Sequence, residues 1–250
     1  VPGAVSIWIM NISNRFFINN YCTIEELGLY SISFKIASLV AFFTFAVRMA
    51  LGPILFELAS KSINNRIIYF EIFNRYLAIL FLLTNCLSLF SIELLKVFTT
   101  PEYYSAESIV YFLCLANCGF GLAQITSLGI VLSKNTKYES YSNIIGAFLS
   151  IILNFSLIPK FGPYGAAVSC ATSLLFINIL LYFFSNKFYG MRFNFNIFSI
   201  LFLASIITYI FSRYLIELSI INIIFKILII ICYVILIRFV GLLSLPKLDT

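Results

Sequence analysis

The 250-residue chain is 62% hydrophobic and 10% charged, with no histidine, six cysteines and a formal net charge of +6. Soluble domains carry about 25% charged residues, so these proportions exclude an ordinary soluble globule and imply a polytopic membrane protein. Nucleic acid is excluded as a partner, because there is no basic stripe and membrane proteins collect Lys and Arg in cytoplasmic loops.

The apolar runs reach the roughly 18–25 residues a helix needs to cross a hydrocarbon core, and the period-two alternation of a membrane barrel is absent. The expected fold is all-α: a polytopic bundle of about eight transmembrane helices. Cys22, Cys86, Cys114, Cys118, Cys170 and Cys232 form no CxxC motif. Without histidine no spacing supports a metal site, and no cofactor is implied. The cysteines read as small, polarizable packing residues, with only Cys22 in an expected loop, open to oxidation. The opening VPGAVSIW has no basic n-region or cleavage site and reads as a piece of a longer protein that starts at a membrane helix.

In chain order, the first span is expected over 2–18, followed by a polar loop at 19–27 with Glu25 and Glu26. The second covers 30–59 and contains Gly52-Pro53, where proline removes a backbone hydrogen bond and kinks the helix. A basic loop at 61–66 leads to the third span, 72–97. Thr100-Pro101-Glu102 then signals a helix start, with Thr100 as cap, Pro101 at the first position and Glu102 at the positive end of the dipole. The fourth span is 108–132, followed by a second basic loop at 134–137. The fifth and sixth, 141–158 and 165–185, form a tight hairpin turned by Pro159, Gly162 and Pro163. Gly165, Ala166, Ala167, Ser169, Ala171 and Ser173 open its second arm with small residues, which let membrane helices approach closely. A third basic loop at 187–196 precedes the seventh span, 197–218, and the eighth, 220–243. The loops are too short to bury a core, so no soluble domain is expected.

One set of loops holds Lys61, Arg66, Lys134, Lys137, Lys187, Arg192 and Lys247; the other holds Lys96 and Lys160, with Arg213 near a helix end. The positive-inside rule makes the first set cytoplasmic, with both ends of the chain on that side.

Charges inside the spans are costly and usually face a cavity or partner. Arg15, Lys35, Arg48 and Lys226 stand out. Snorkelling to a membrane surface and cavity lining stay open for Arg15 and Lys35. Depth favours a cavity for Arg48 and snorkelling for Lys226. Glu57 with Lys61, and Glu71 with Arg75, are four residues apart and read as interfacial neighbours. Glu57, Glu71, Glu93, Glu107, Glu139 and Glu217 all fall near span ends, which weakens a proton- or sodium-antiport reading. Surplus interior cations suit an anionic substrate such as a phosphate or pyrophosphate. Tyr103, Tyr104, Tyr138, Tyr141, Tyr182 and Tyr189 flank spans and read as aromatic belts. Walker-type loops and GxSxG are absent, so no enzyme activity is expected.

Three stretches carry a resemblance. ELGLYSISFKIASLV (26–40) resembles the segment after the seventh helix of bacterial polysaccharide repeat-unit flippases. LKVFTTPEYYSAESIVYFLCLA (95–116) resembles their external loop and following helix. NFSLIPKFGPYGAAVSCATS (154–173) resembles their hairpin pattern N-x-x-L-I-P-x-x-G-x-x-G-A-A. These are O-antigen and capsule flippases of the multidrug/oligosaccharidyl-lipid/polysaccharide exporter superfamily.

The resemblance implies the second lobe of a two-lobe exporter plus two extra helices: a six-helix lobe over 1–185, then two additional helices and a short cytoplasmic tail over 186–250. It implies translocation of an undecaprenyl-pyrophosphate-linked oligosaccharide across the bacterial inner membrane by alternating access. A cationic central cavity between lobes would be served here by Arg15, Lys35 and Arg48. Asn14 stands where many relatives place an acid before the arginine. Implied partners are the lipid-linked oligosaccharide, membrane lipid, an N-terminal lobe of the same protein, and a polysaccharide polymerase with its chain-length regulator. The alternatives are a multidrug or organic-cation antiporter of the same superfamily and a non-transporting scaffold of glycan assembly.

Overall fold

The computed structural model describes residues 2–61, 66–190, 195–214 and 220–239. Among them there is no strand. The elements are α1 (Pro2–Tyr21), α2 (Ile24–Lys61), α3 (Arg66–Leu89), α4 (Ser91–Phe98), a 3-10 turn (Pro101–Ala106), α5 (Glu107–Thr126), α6 (Leu128–Leu132), α7 (Lys137–Tyr189), α8 (Phe195–Tyr214) and α9 (Ile220–Phe239). Six helical segments are long and apolar enough to cross a membrane. One of them, the 53-residue α7, is interrupted at Gly162, whose φ of 56° and ψ of −139° are not helical. Each arm exceeds the roughly 20 residues a crossing needs. The chain is a multi-pass helical membrane protein.

The loop between the first two spans is shorter than expected, and α2 starts at Ile24. Thr23 and Glu26 close a capping box: the Thr23 amide donates to Glu26 Oε2 at 2.9 Å, and the Glu26 amide donates to Thr23 Oγ1 at 3.2 Å. Two otherwise orphaned donors are satisfied, which draws the helix start back to this point. Cys22 lies at the bend itself. Partial burial and the Glu26 carboxylate push its thiol up, which suppresses the thiolate that oxidants attack. α2 then runs unbroken through Pro53 to Lys61.

The expected third span divides at Phe90, where φ is −97° and ψ is 14°, into α3 and the short α4. Thr100 is the N-cap residue with Pro101 at the first position, as expected. The element they start, however, is a 3-10 turn, and no side-chain cap bond forms. The hairpin turn is tighter than expected: the first arm continues through Pro159, and Gly162 alone carries the reversal. Pro163 then occupies the first turn of the second arm, where a missing N–H costs nothing.

α5 is the central helix, packed against α2, α3 and α7. About two-thirds (67%) of its apolar window is inside, against 17% for α9. With no hydrophobic driving force between helices in lipid, close packing and interhelical hydrogen bonds hold them. Asn178 Nδ2 of α7 donates to the Gly119 carbonyl of α5 at 2.8 Å. Asn117 Nδ2 of α5 donates to the Ala37 carbonyl of α2 at 3.2 Å. Within the hairpin, Ser169 Oγ donates to the Ser150 carbonyl at 3.1 Å. At Gly165 a Cβ would stand 2.5 Å from the Leu157 carbonyl oxygen, so only glycine lets the arms approach this closely. α8 joins through aromatic contacts: Phe81 of α3 meets Phe198 edge-on at 6.0 Å, and Tyr111 of α5 stacks on Tyr209 at 4.3 Å.

Candidate functional site

The three cations assigned to a cavity, Arg15, Lys35 and Arg48, lie on α1 and α2, and all three are exposed. The Arg15 guanidinium sits over the Phe34 ring at 5.4 Å. Phe34 immediately precedes Lys35, so α1 and α2 bring Arg15 and Lys35 to the same part of the bundle. Such a stacked guanidinium keeps its donors free while the ring partly offsets its charge. No carboxylate among the described residues lies within ion-pair distance of Arg15 or Lys35. Arg48 stands apart: it is roughly 20 Å farther along α2 and roughly 140° around its axis from Lys35. It lies within electrostatic reach of Glu139 at the start of α7. Arg15 and Lys35 thus lie on neighbouring stretches of α1 and α2, with Arg48 at another depth.

Behind Arg15 lies a buried polar cluster. Asn14 is 1% exposed and Asn154 is fully buried. Asn154 Nδ2 donates to Asn14 Oδ1 at 2.7 Å, and Asn14 Nδ2 donates to the Tyr30 hydroxyl at 3.1 Å. The cluster ties α1, α2 and the first arm of α7 together beside the Arg15 position. Asn14 therefore bonds to neutral groups and leaves Arg15 without a local acid. Sequence reasoning finds Asn154 within the hairpin pattern and Asn14 beside Arg15, but nothing in either stretch pairs them; the 140-residue separation hides the contact.

Lys226 overturns its expected placement. It does not snorkel: it is 1% exposed, and its Nζ donates to Glu93 Oε1 at 2.6 Å. Lys226, Tyr233 and Ile237 form the buried stripe of α9. Glu93 lies on α4, just beyond the break at Phe90. The Glu71–Arg75 pair forms at 3.7 Å, as expected, whereas the side chains of Glu57 and Lys61 lie outside the described residues. Ser205 Oγ and Thr208 Oγ1 of α8 both donate to Asn85 Oδ1 of α3, at 2.8 and 2.9 Å. This polar seam fastens α8 to the central helices.

A cleft of about 300 Å³ opens between α3, α5, α7 and α8, lined by Phe73, Leu122, Leu175, Ile179, Phe198 and Phe202 among others. Its walls are almost wholly apolar and suit a hydrocarbon segment rather than a sugar. No group of three His, Cys, Asp or Glu side chains able to hold a metal occurs among the described residues.

Fold and site together define a multi-pass helical membrane protein, with cations on α1 and α2 that have no carboxylate partner among the described residues and an apolar cleft elsewhere. Comparison with known proteins gives this class a concrete likeness. The chain matches the lipid II flippase MurJ in its inward closed conformation, with a TM-score of 0.60 and 18% identity over 94% of this chain and 53% of that one. At that identity the likeness is one of fold. The chain is also 26% identical over 164 residues to the uncharacterized membrane protein MJ1068 of Methanocaldococcus jannaschii, covering 63% of this chain and 31% of that protein. The chain thus spans about half the length of the flippase and a third of the archaeal protein. No family model matches it.

Proposed function

We propose that the chain is the C-terminal portion of a flippase that moves a lipid-linked oligosaccharide, an O-antigen or capsule repeat unit on undecaprenyl pyrophosphate, across the bacterial inner membrane. On this reading 1–185 is a six-helix lobe and 186–250 adds two helices and a cytoplasmic tail. The observation that carries it is that Arg15 and Lys35 are both exposed, with no carboxylate partner among the described residues, on adjacent helices of a fold like that of a flippase. Cations within membrane helices that lack a local acid are costly and are stabilised when an anionic group binds. A guanidinium presents a fork of donors to phosphate oxygens, while an ammonium acts as a point charge. Arg48, at another depth, meets the same headgroup at a different stage of its passage. The sugars follow through a wet space between lobes, and the apolar cleft suits the hydrocarbon chain. No covalent bond changes; transport is a rocking of lobes about the site.

The test is genetic. Arg15→Ala with Lys35→Ala, expressed at the normal level in the full-length protein, is expected to cut surface polysaccharide by roughly tenfold or more, since a hydrogen bond to a charged group contributes about 1.5–3 kcal/mol. Lipid-linked repeat units accumulate on the cytoplasmic leaflet. Normal surface polysaccharide in a triple variant that also carries Arg48→Ala overturns the reading.

A further inference from the structure

The reversal at Gly162 brings both ends of α7 to the same end of the bundle, where they build a surface the transport reading does not use. Tyr138, next to the first residue of α7, has its ring centroid 4.8 Å from Phe184 and 4.7 Å from Phe188, near the last. The three rings make one continuous shelf. Two ammonium groups bracket it: Lys137 Nζ stands 5.4 Å from the Tyr138 ring centroid, and Lys187 Nζ stands 5.8 Å from that of Phe188. A third, Lys134, lies on the preceding turn, and all three lysines are exposed.

The turn is fixed. Lys134 has a φ of 58°, its amide donates to the Val131 carbonyl at 3.0 Å, and the Asn135 amide donates to the Ile130 carbonyl at 3.1 Å. The far end is fixed too: Gly190, with φ of 70°, closes α7 by donating to the Asn186 carbonyl at 2.9 Å. Glu139 does not neutralise the group. Two residues beyond Lys137 it points elsewhere, where it is engaged by Ser127 and feels Arg48. No carboxylate among the described residues lies within ion-pair distance of Lys134, Lys137 or Lys187.

We propose that this end of α7 binds the headgroup of an anionic phospholipid. Tyrosine rings at the end of a membrane helix sit at headgroup level, which sets Tyr138 and the lysines around it where lipid phosphates lie. Helix-end clusters of basic residues recognise anionic headgroups through this arrangement. The surface beneath the shelf selects a lipid over a free phosphate: α7 turns Tyr141, Ile145 and Phe148 outward, a strip along which an acyl chain can run.

The test is native mass spectrometry of the full-length protein titrated with phosphatidylglycerol or phosphatidylcholine. The unaltered protein retains phosphatidylglycerol in preference. Lys137→Gln with Lys187→Gln weakens that binding roughly tenfold or more, since each lysine near a membrane surface contributes about 1 kcal/mol. Lys96→Gln with Lys160→Gln removes the same charge from the opposite end and leaves binding unchanged. Inorganic phosphate does not compete. An equal loss in the Lys96/Lys160 variant, equal retention of phosphatidylcholine, or displacement by phosphate overturns the proposal. Gel filtration verifies folding; if the double variant is not recovered folded, Lys134→Gln alone gives the decisive reading, with an expected loss of roughly fivefold.

Discussion

An ammonium held inside a membrane protein must be answered by a nearby negative group, and Lys226 is answered by Glu93 at 2.6 Å. Breaking such a pair costs more than the pair itself contributes, because the surviving Glu93 carboxylate, about 20% exposed, is left without its counter-charge. Lys226→Met is therefore expected to destabilise the protein by about 3 kcal/mol, and Lys226→Met with Glu93→Leu to recover most of that loss. Denaturant unfolding in detergent measures both, and a double variant as unstable as the single one contradicts the account. Lys226 is visible in the sequence as an intramembrane charge, but its fate is not. Glu93 is 133 residues upstream and reads in the sequence as a span-end residue, so nothing local pairs the two.

At the scale of the element, the hairpin is the most readable part of the chain. Pro159, Gly162, Pro163 and the small residues after them announce two closely packed arms, and α7 has them. Less readable is the economy of the turn, because a proline one turn before the reversal is expected to end the helix and instead lies within it. The short first loop escapes the sequence for a similar reason. The Thr23–Glu26 capping box outweighs the polar character of 19–27 and starts α2 early. What the hairpin docks against is not readable at all. Asn14 and Asn154 bond across α1 and α7 with both side chains buried, and interhelical hydrogen bonds of this kind contribute about 0.6–2 kcal/mol in membranes. A double-mutant cycle with Asn14→Ala and Asn154→Ala is expected to show coupling of about that size. Additive losses from the two substitutions contradict the contact as a stabilising one.

At the scale of the whole molecule, composition establishes the membrane and the helical class, and span lengths locate most of the crossings. For the candidate site the sequence supplies the residue types but not how α1 and α2 place them. The sequence singles out Arg15, Lys35 and Arg48 as one group; helical geometry separates Arg48 from the other two. Orientation is the remaining large-scale expectation. Lys134 and Lys160 lie at opposite ends of the first arm of α7, the first in the basic set of loops and the second beside the reversal. In a cysteine-depleted background, Lys160→Cys is expected to react with a membrane-impermeant maleimide added to intact cells, and Lys134→Cys only after the membrane is opened. The reverse pattern contradicts the assignment of the basic loops to the cytoplasm.

The single-residue reversal at Gly162 also bears on how the chain enters the bilayer during synthesis. Two arms joined by one glycine leave no slack for the first to settle while the second waits outside. Their contacts tighten the constraint: Ser169 bonds back to the Ser150 carbonyl, and Leu157 touches the Gly165 backbone position. The two arms of 137–189 are therefore expected to enter the bilayer as one unit, so that a nascent chain stalled within the second arm holds the first arm at the translocon.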